Sequence, residues 1–321
     1  MERIKIGVLG TGHLGAHHVR ILSKMEGADL IGIHEPDRKR AGEIVSKYDV
    51  KAFDDIYVLL DKCDAVVIAS PTGTHRAVGE LAFSAGCHAL IEKPLADIAS
   101  EGEVIVKAAE KAGKILMVGH VEQFNPAIEA ARTIIDNPVF VESHRLTAFR
   151  GRGTDVSVIH DLLIHDLELL LAIFNGESIE SMETSAKSIL TDSPDIANSR
   201  LHFSGGCVAN LTASRISLSN MRKMRFFQQG AYISVDFGER NVEIATLKGS
   251  GPKPPANADF FPLPNKEAVC RWFLPVPEQD ALTTELEHFL DCIANNKEPR
   301  VSGKRGLEAL RLADLIAKNA R

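Results

Sequence analysis

The sequence predicts an α/β chain in two parts: a doubly wound parallel sheet, then an α+β domain whose sheet is open and mostly antiparallel. Three observations predict it. Residues 4–35 read as strand, glycine turn, amphipathic helix and strand. Short apolar runs then alternate with helical stretches as far as Gly119, the pattern that right-handed crossovers turn into a parallel sheet. From Ser178 onward, strand-like runs follow one another with no helix between them, as in an antiparallel or mixed sheet.

Taken in order, Ile4, Ile6, Val8 and Leu9 form the first strand, and the helix after the glycine turn runs to about Met25. Leu30–Ile33 is a second strand, Asp37–Lys47 a helix, Val50–Phe53 a short strand and Asp54–Asp61 a brief helix. Strands over 65–69, 88–91 and 115–118 alternate with helices over 74–85 and 99–112, the latter two stopped by Gly86 and Gly113. Further on, 126–136 and 156–174 read as helices and 139–149 as a strand. Six runs with β character span 179–189, 199–203, 207–216, 224–227, 231–237 and 241–247, with turns at Gly205-Gly206 and Gly238. Residues 248–267, rich in proline and glycine, read as a surface loop, and 282–294 and 306–319 as closing helices.

A length of 321 residues predicts two domains, 1–120 and 121–321, with closing helices in 282–321 able to pack back toward the first. The net charge of −6 argues against a general nucleic-acid surface or binding to anionic membranes. No apolar run approaches the roughly 18–20 residues that cross a bilayer, and the start, MERIKIGVLG, has no signal-peptide layout. The five cysteines are scattered without a CxxC pair, which predicts reduced thiols, a cytoplasmic protein and no metal site.

The chemistry starts at Gly10-Thr11-Gly12-His13-Leu14-Gly15. Gly10 permits a tight turn, Gly12 admits a phosphate without a Cβ in the way, and Gly15 lets the helix lie close on the sheet. The helix start offers unpaired N–H groups and its positive end to a pyrophosphate. Glu35, 20 residues beyond Gly15, is placed to accept both hydroxyls of an adenosine ribose and to repel a 2′-phosphate. NAD is therefore the expected cofactor and NADP the lesser alternative, Arg38 and Lys39 being close enough to offset a phosphate in part.

Other candidates lie at strand ends. Ser70-Pro71-Thr72 with His75, Glu92-Lys93-Pro94 and His120 each follow a predicted strand, where doubly wound sheets hold ligands. Pro94 biases Lys93 away from helix, so its ammonium can project over a cofactor; a surface lysine paired with Glu92 is the plain alternative. His75 reads either as a contact to the nicotinamide ribose or as a helix-start residue. His17 and His18 face different sides of the first helix and read as structural or exposed.

On the helix over 156–174, Asp161 and His165 are spaced i,i+4 and share a face. A carboxylate there can orient an imidazole as a proton acceptor. A surface pair, or a metal site with His160, are the alternatives; adjacent helical residues diverge by about 100°, which disfavours the metal. Arg150 and Arg152, just ahead of this helix, form either a phosphate clamp or an ordinary charged turn.

With these motifs in place the sequence resembles the glucose–fructose oxidoreductase / inositol dehydrogenase / MocA (Gfo/Idh/MocA) family over essentially its whole length. The matching stretches are GTGHLG (10–15), ASPTGTH (69–75), HALIEKPLA (88–96), GHVEQFNP (119–126), HDLLIHDLELL (160–170) and the tail over 285–310. The resemblance implies an N-terminal Rossmann domain and a C-terminal open sheet that often mediates oligomers, here a homodimer or homotetramer. It implies catalytic roles for Lys93, Asp161 and His165. Cofactor contacts are assigned to Gly10, Gly12, His13, Leu14, Gly15, Glu35, Ser70, Pro71, Thr72, His75, Glu92, Lys93 and Gln123. Substrate contacts are assigned to Lys93, Asn125, Arg150, Arg152, Asp161 and His165. Two positions depart from the pattern: Leu163 replaces a frequent glycine, and Gln123 a frequent arginine. The run VIHDLLIHD is similar to family members that oxidise UDP-N-acetylglucosamine at C3, which implies a nucleotide-sugar substrate. A free sugar or polyol such as an inositol is the alternative substrate, and a non-catalytic NAD-sensing regulator the alternative of another class.

Overall fold

The computed structural model describes residues 3–149, 156–247, 249–264 and 268–320. Two compact units divide the chain, Met1–Val121 with Leu282–Arg311 and Glu122–Ala281 with Leu312–Arg321.

In the first unit, β1 (Ile4–Leu9), α1 (His13–Leu22), β2 (Ala28–His34), α2 (Arg38–Tyr48), α3 (Ile56–Leu60), β3 (Ala65–Ile68), α4 (His75–Ser84), β4 (His88–Glu92), α5 (Ala99–Ala112) and β5 (Leu116–Gly119) follow in turn. The strands make a five-stranded sheet in the order β2-β1-β3-β4-β5, parallel throughout. Its inner strands are buried on both faces: every residue of β3 and Ala89, Leu90 and Ile91 of β4 are fully covered, which is why they are continuous apolar runs. Asp37 caps α2 by accepting from the Lys39 and Arg40 N–H groups at 3.0 and 3.2 Å, and Gly113 ends α5 in the left-handed region.

The strand expected over Val50–Phe53 does not form. Only Ala52 pairs, opposite Ile33, through Ile33 N–H to Lys51 O and Phe53 N–H to Ile33 O. The chain then leaves the sheet because Asp55 turns it into α3, accepting from the Tyr57 N–H at 2.8 Å.

The second unit holds α6 (Pro126–Arg132), β6 (Phe140–Leu146), a π-helical turn (Ile159–Leu163) and α7 (Ile164–Ile173). Strands β7 (Ile179–Lys187), β8 (Ile196–Phe203), β9 (Val208–Ser214), β10 (Met221–Gln228), β11 (Ala231–Asp236), β12 (Asn241–Leu247), β13 (Asp259–Pro262) and β14 (Ala268–Leu274) follow. The nine-stranded sheet runs β13-β14-β12-β11-β10-β6-β9-β8-β7, antiparallel except where β6 meets β9. Alternate residues such as Leu201, Leu211, Phe226, Ile233 and Ile244 are buried on one face. The segment expected to be a loop over 248–267 instead contributes β13, an edge strand against β14. Proline and exposed Phe260 and Phe261 disguised it, and an edge tolerates Pro262 because no neighbour needs its missing donor. The closing helices are α8 (Ala281–Asn295) and α9 (Gly303–Asn319).

A buried carboxylate pins the start of the π turn. Asp195 accepts from the N–H groups of Ile189, Leu190 and Thr191, from the Thr191 hydroxyl, and from Arg215 Nε at 3.0 Å. Burial works against its charge, but these donors outweigh it and hold the carboxyl far below the ordinary range. The neighbouring Pro194 carbonyl accepts from the Val158 N–H at 3.0 Å. Asp195→Ala strands a buried guanidinium and three N–H groups, so about 3–5 kcal/mol of stability is expected to be lost. Urea unfolding of the variant at neutral pH checks this.

Candidate functional site

In the first unit the loop between β1 and α1 is tight on its protein side and open on the other. Gly10 has φ +85°, and a Cβ there would lie 2.7 Å from the Ser70 backbone. A Cβ on Gly15 would stand 2.9 Å from the Gly10 carbonyl carbon, so the first turn of α1 presses on the loop itself. At Gly12 a Cβ would meet nothing within 4 Å. That open face beside a helix start fits a pyrophosphate. His13 and Leu14, at the same turn, are exposed. Glu35 is drawn onto the loop: Oε2 accepts from the Thr11 N–H at 2.8 Å and the Thr11 hydroxyl at 3.0 Å, and Oε1 from the Asp37 N–H. Thr11 is a residue the sequence reading passed over; only its place between two loop glycines pointed to it. The cation nearest Glu35 is Arg40, at 3.7 Å, rather than Arg38 or Lys39.

The turn after β3 is locked internally. Ser70 Oγ meets Thr74 Oγ1 at 2.7 Å, Thr72 opens a short 3-10 turn, and Pro71 is exposed ahead of it. His75 is buried, with Nε2 at 2.9 Å from Ser70 O and Nδ1 at 3.1 Å from Pro94 O. The ring, on the first residue of α4, ties the β3 turn to the β4 turn. Glu92, the last residue of β4, is buried against His18 Nε2 at 2.7 Å, so His18 is structural and fully covered. Lys93 follows, half-buried. Burial, and then the Lys93 charge, lower the fully buried His120 to about 3, which keeps its ring neutral beside the ammonium.

In the second unit the expected regular helix over 156–174 is a π turn followed by α7. The inserted turn moves Asp161 and His165 off the simple i,i+4 relation, and such insertions recur at functional positions. Both residues are half-buried, and His165 Nδ1 is shielded from solvent. Their neighbours are occupied: His160 Nε2 lies 2.8 Å from Asp314, and Asp166 Oδ1 accepts from Arg145 Nε and Nη2 at 3.1 and 2.7 Å. Arg145 also donates to Glu122 at 2.8 Å; burial opposes its charge, and Asp166 and Glu122 outweigh it.

Two residues expected to be contacts make hydrogen bonds within the protein here. Asn125 caps α6 by accepting from the Ala127 N–H, and its amide donates to Glu122 and the Phe237 carbonyl. Gln123 donates to Glu168 at 2.5 Å and accepts from Arg132, which supplies a guanidinium next to the position where the family often has one. Arg150 and Arg152 lie outside the described residues. Among the described residues no group of three His, Cys, Asp or Glu is placed to hold a metal, and no helix is long and apolar enough to cross a membrane.

Residues 4–120 match the model of an oxidoreductase family with an NAD-binding Rossmann fold, and residues 150–321 match the C-terminal alpha/beta domain of the same family. The chain belongs to the Gfo/Idh/MocA oxidoreductase family. It is similar to the UDP-N-acetylglucosamine 3-dehydrogenase of Acidithiobacillus ferrooxidans, 34% identical over 98% of this chain and 96% of the relative. A solved structure of that enzyme superposes with a TM-score of 0.90 at 33% identity, covering 100% of this chain and 98% of the other. The inositol 2-dehydrogenase of Rhizobium meliloti is 27% identical over 98% of this chain and 96% of its own length.

The two ends of the glycine loop make opposite demands. Gly12→Ala is expected to leave the melting temperature within about a degree of wild type while weakening dinucleotide binding roughly tenfold or more, because a Cβ there meets no protein atom and stands where a pyrophosphate fits. Scanning calorimetry and nucleotide titration check the two halves. His120 gives a pH signature. Its folded pKa lies below the ordinary 6.5, so the unfolded chain takes up a proton first as acid is added. Stability from this group is complete above about pH 6.5 and falls as the pH drops toward 3; the loss reaches about 2 kcal/mol near pH 5. His120→Asn should flatten that part of the melting-temperature profile.

Proposed function

We propose that this family member oxidises a sugar carbinol with NAD⁺, and that the sugar is UDP-N-acetylglucosamine, taken to the 3-keto sugar. The observation that carries this is the full-length similarity to a UDP-N-acetylglucosamine 3-dehydrogenase, and Lys93, Asp161 and His165 stand in stretches that resemble the family's motifs. Family membership and the open loop at Gly12 support a nicotinamide cofactor; Glu35 favours NAD(H), since a 2′-phosphate would meet a carboxylate already committed to Thr11.

A nicotinamide held by the loop at Gly10–Gly15 would supply a hydride acceptor for the carbinol carbon. His165 takes the proton of the hydroxyl on that carbon. Lys93 donates a hydrogen bond to the same oxygen and stabilises its developing negative charge. Asp161 orients His165 or holds a neighbouring sugar hydroxyl. Arg150 and Arg152 pair with the diphosphate. The five free cysteines, four of them buried, suit a cytoplasmic enzyme. The outward face of the nine-stranded sheet, where Phe227 stacks edge-on with Phe140 and Tyr232, suits a homo-oligomer contact.

A second reading, a free polyol substrate, draws on the inositol dehydrogenase among the relatives. A spectrophotometric screen for NADH formation separates them: turnover is expected with UDP-N-acetylglucosamine and not with free sugars or inositols. Turnover on inositols alone would favour the second reading, and none on any sugar would favour an NAD sensor. Lys93→Ala and His165→Ala should each lose at least about two orders of magnitude in kcat while still binding NAD. Near-normal kcat in both would refute their roles.

A further inference from the structure

Beside Lys93 in the first unit lies a set of buried titratable groups that the proposed proton transfer leaves unused. Glu92 of β4 meets His18 of α1 at 2.7 Å, and its carboxylate lies so close over β5 that a Cβ on Gly119 would come within 3.0 Å of Oε2. Glu285 of α8 is fully buried, and neither of its carboxyl oxygens has a hydrogen-bond partner among the described residues. The charge that faces it is that of Glu92. Two carboxyls share this interior with one imidazole, and the next charged group along the chain is Lys93, beside neutral His120. Two negative charges cannot both be held there cheaply, so one carboxyl keeps its proton. Glu92 has a partner in His18 Nε2 at 2.7 Å, whereas Glu285 has none among the described residues. Burial, and then the charge of Glu92, push Glu285 well above the ordinary carboxylate range, which makes it the protonated one.

We propose that this His18–Glu92–Glu285 cluster sets which redox form of the nicotinamide cofactor is bound more tightly, and that it does so in a pH-dependent way. The inference rests on the reading that Lys93, next to Glu92 in the chain, works at the nicotinamide. The oxidised ring carries a positive charge and the reduced ring none, while adenine, riboses and pyrophosphate are common to both. A buried negative charge near the ring therefore favours the oxidised form. When Glu285 loses its proton that charge grows, and the preference grows with it.

The test is calorimetric titration of the full chain with NAD⁺ and with NADH, without any sugar, from about pH 6 to 9. The ratio of the NADH Kd to the NAD⁺ Kd cancels titrations that affect both nucleotides alike. It is expected to rise roughly three- to tenfold across the range in wild type and to stay flat in Glu285→Gln, which mimics the protonated acid. A ratio independent of pH in wild type overturns the proposal whether or not the variant folds, and so does an equal rise in Glu285→Gln. If neither nucleotide binds, the cofactor reading itself fails and this proposal with it; binding of both with a flat ratio removes the proposal alone.

Discussion

The nucleotide end of this molecule depends on an empty space. A side chain at position 15 would drive its first carbon to within 2.9 Å of the Gly10 carbonyl carbon, and one at position 10 would strike the backbone at Ser70. Only with both absent can α1 begin so near β1 and the turn after β3. Glu35 then reaches back to Thr11 from the end of β2 and fixes the loop against the second strand. Dispersion and burial hold the sheet together, and these close approaches leave a helix start open on its Gly12 side, a form that suits an anion.

The second unit solves a different problem, that of keeping a helix with a π turn in one register. Such a turn gives up regular backbone hydrogen bonds, so it needs outside support. The support comes from buried ions at both ends. Asp195 and Arg215 fix the loop whose Pro194 carbonyl receives the Val158 N–H ahead of the turn, and Arg145 holds Asp166 just beyond it, tied in turn to Glu122. Removing either guanidinium would leave a charge buried and uncompensated, which makes the arrangement stiff rather than merely stable.

Much of this was legible in the sequence, for reasons that can be named. The apolar runs of the parallel sheet are local signals and fold as read, and the glycine turn and the acid follow β1 and β2 as their spacing predicts. The strand expected at Val50–Phe53 failed because one apolar run cannot tell whether its neighbour offers one bond or four. The π turn was invisible because Ile159–Leu163 has the same apolar spacing either way. Strand β13 was hidden by the proline and exposed phenylalanines that an edge allows. Asn125 and Gln123 read as ligand contacts in a motif, while their bonds to Glu122, Glu168 and Arg132 depend on tertiary packing that the motif does not display.

The single parallel junction in the large sheet bears on how the chain folds. Strands β7, β8 and β9 form one meander of near neighbours, and β10, β11 and β12 another. Each can assemble from local turns, yet β9 and β10 never touch side by side, because β6 stands between them. That strand is made early in synthesis and must wait for partners more than sixty residues downstream on either flank. Closure of the sheet is therefore a long-range, entropically slow step, in which one early strand zips two finished ribbons together.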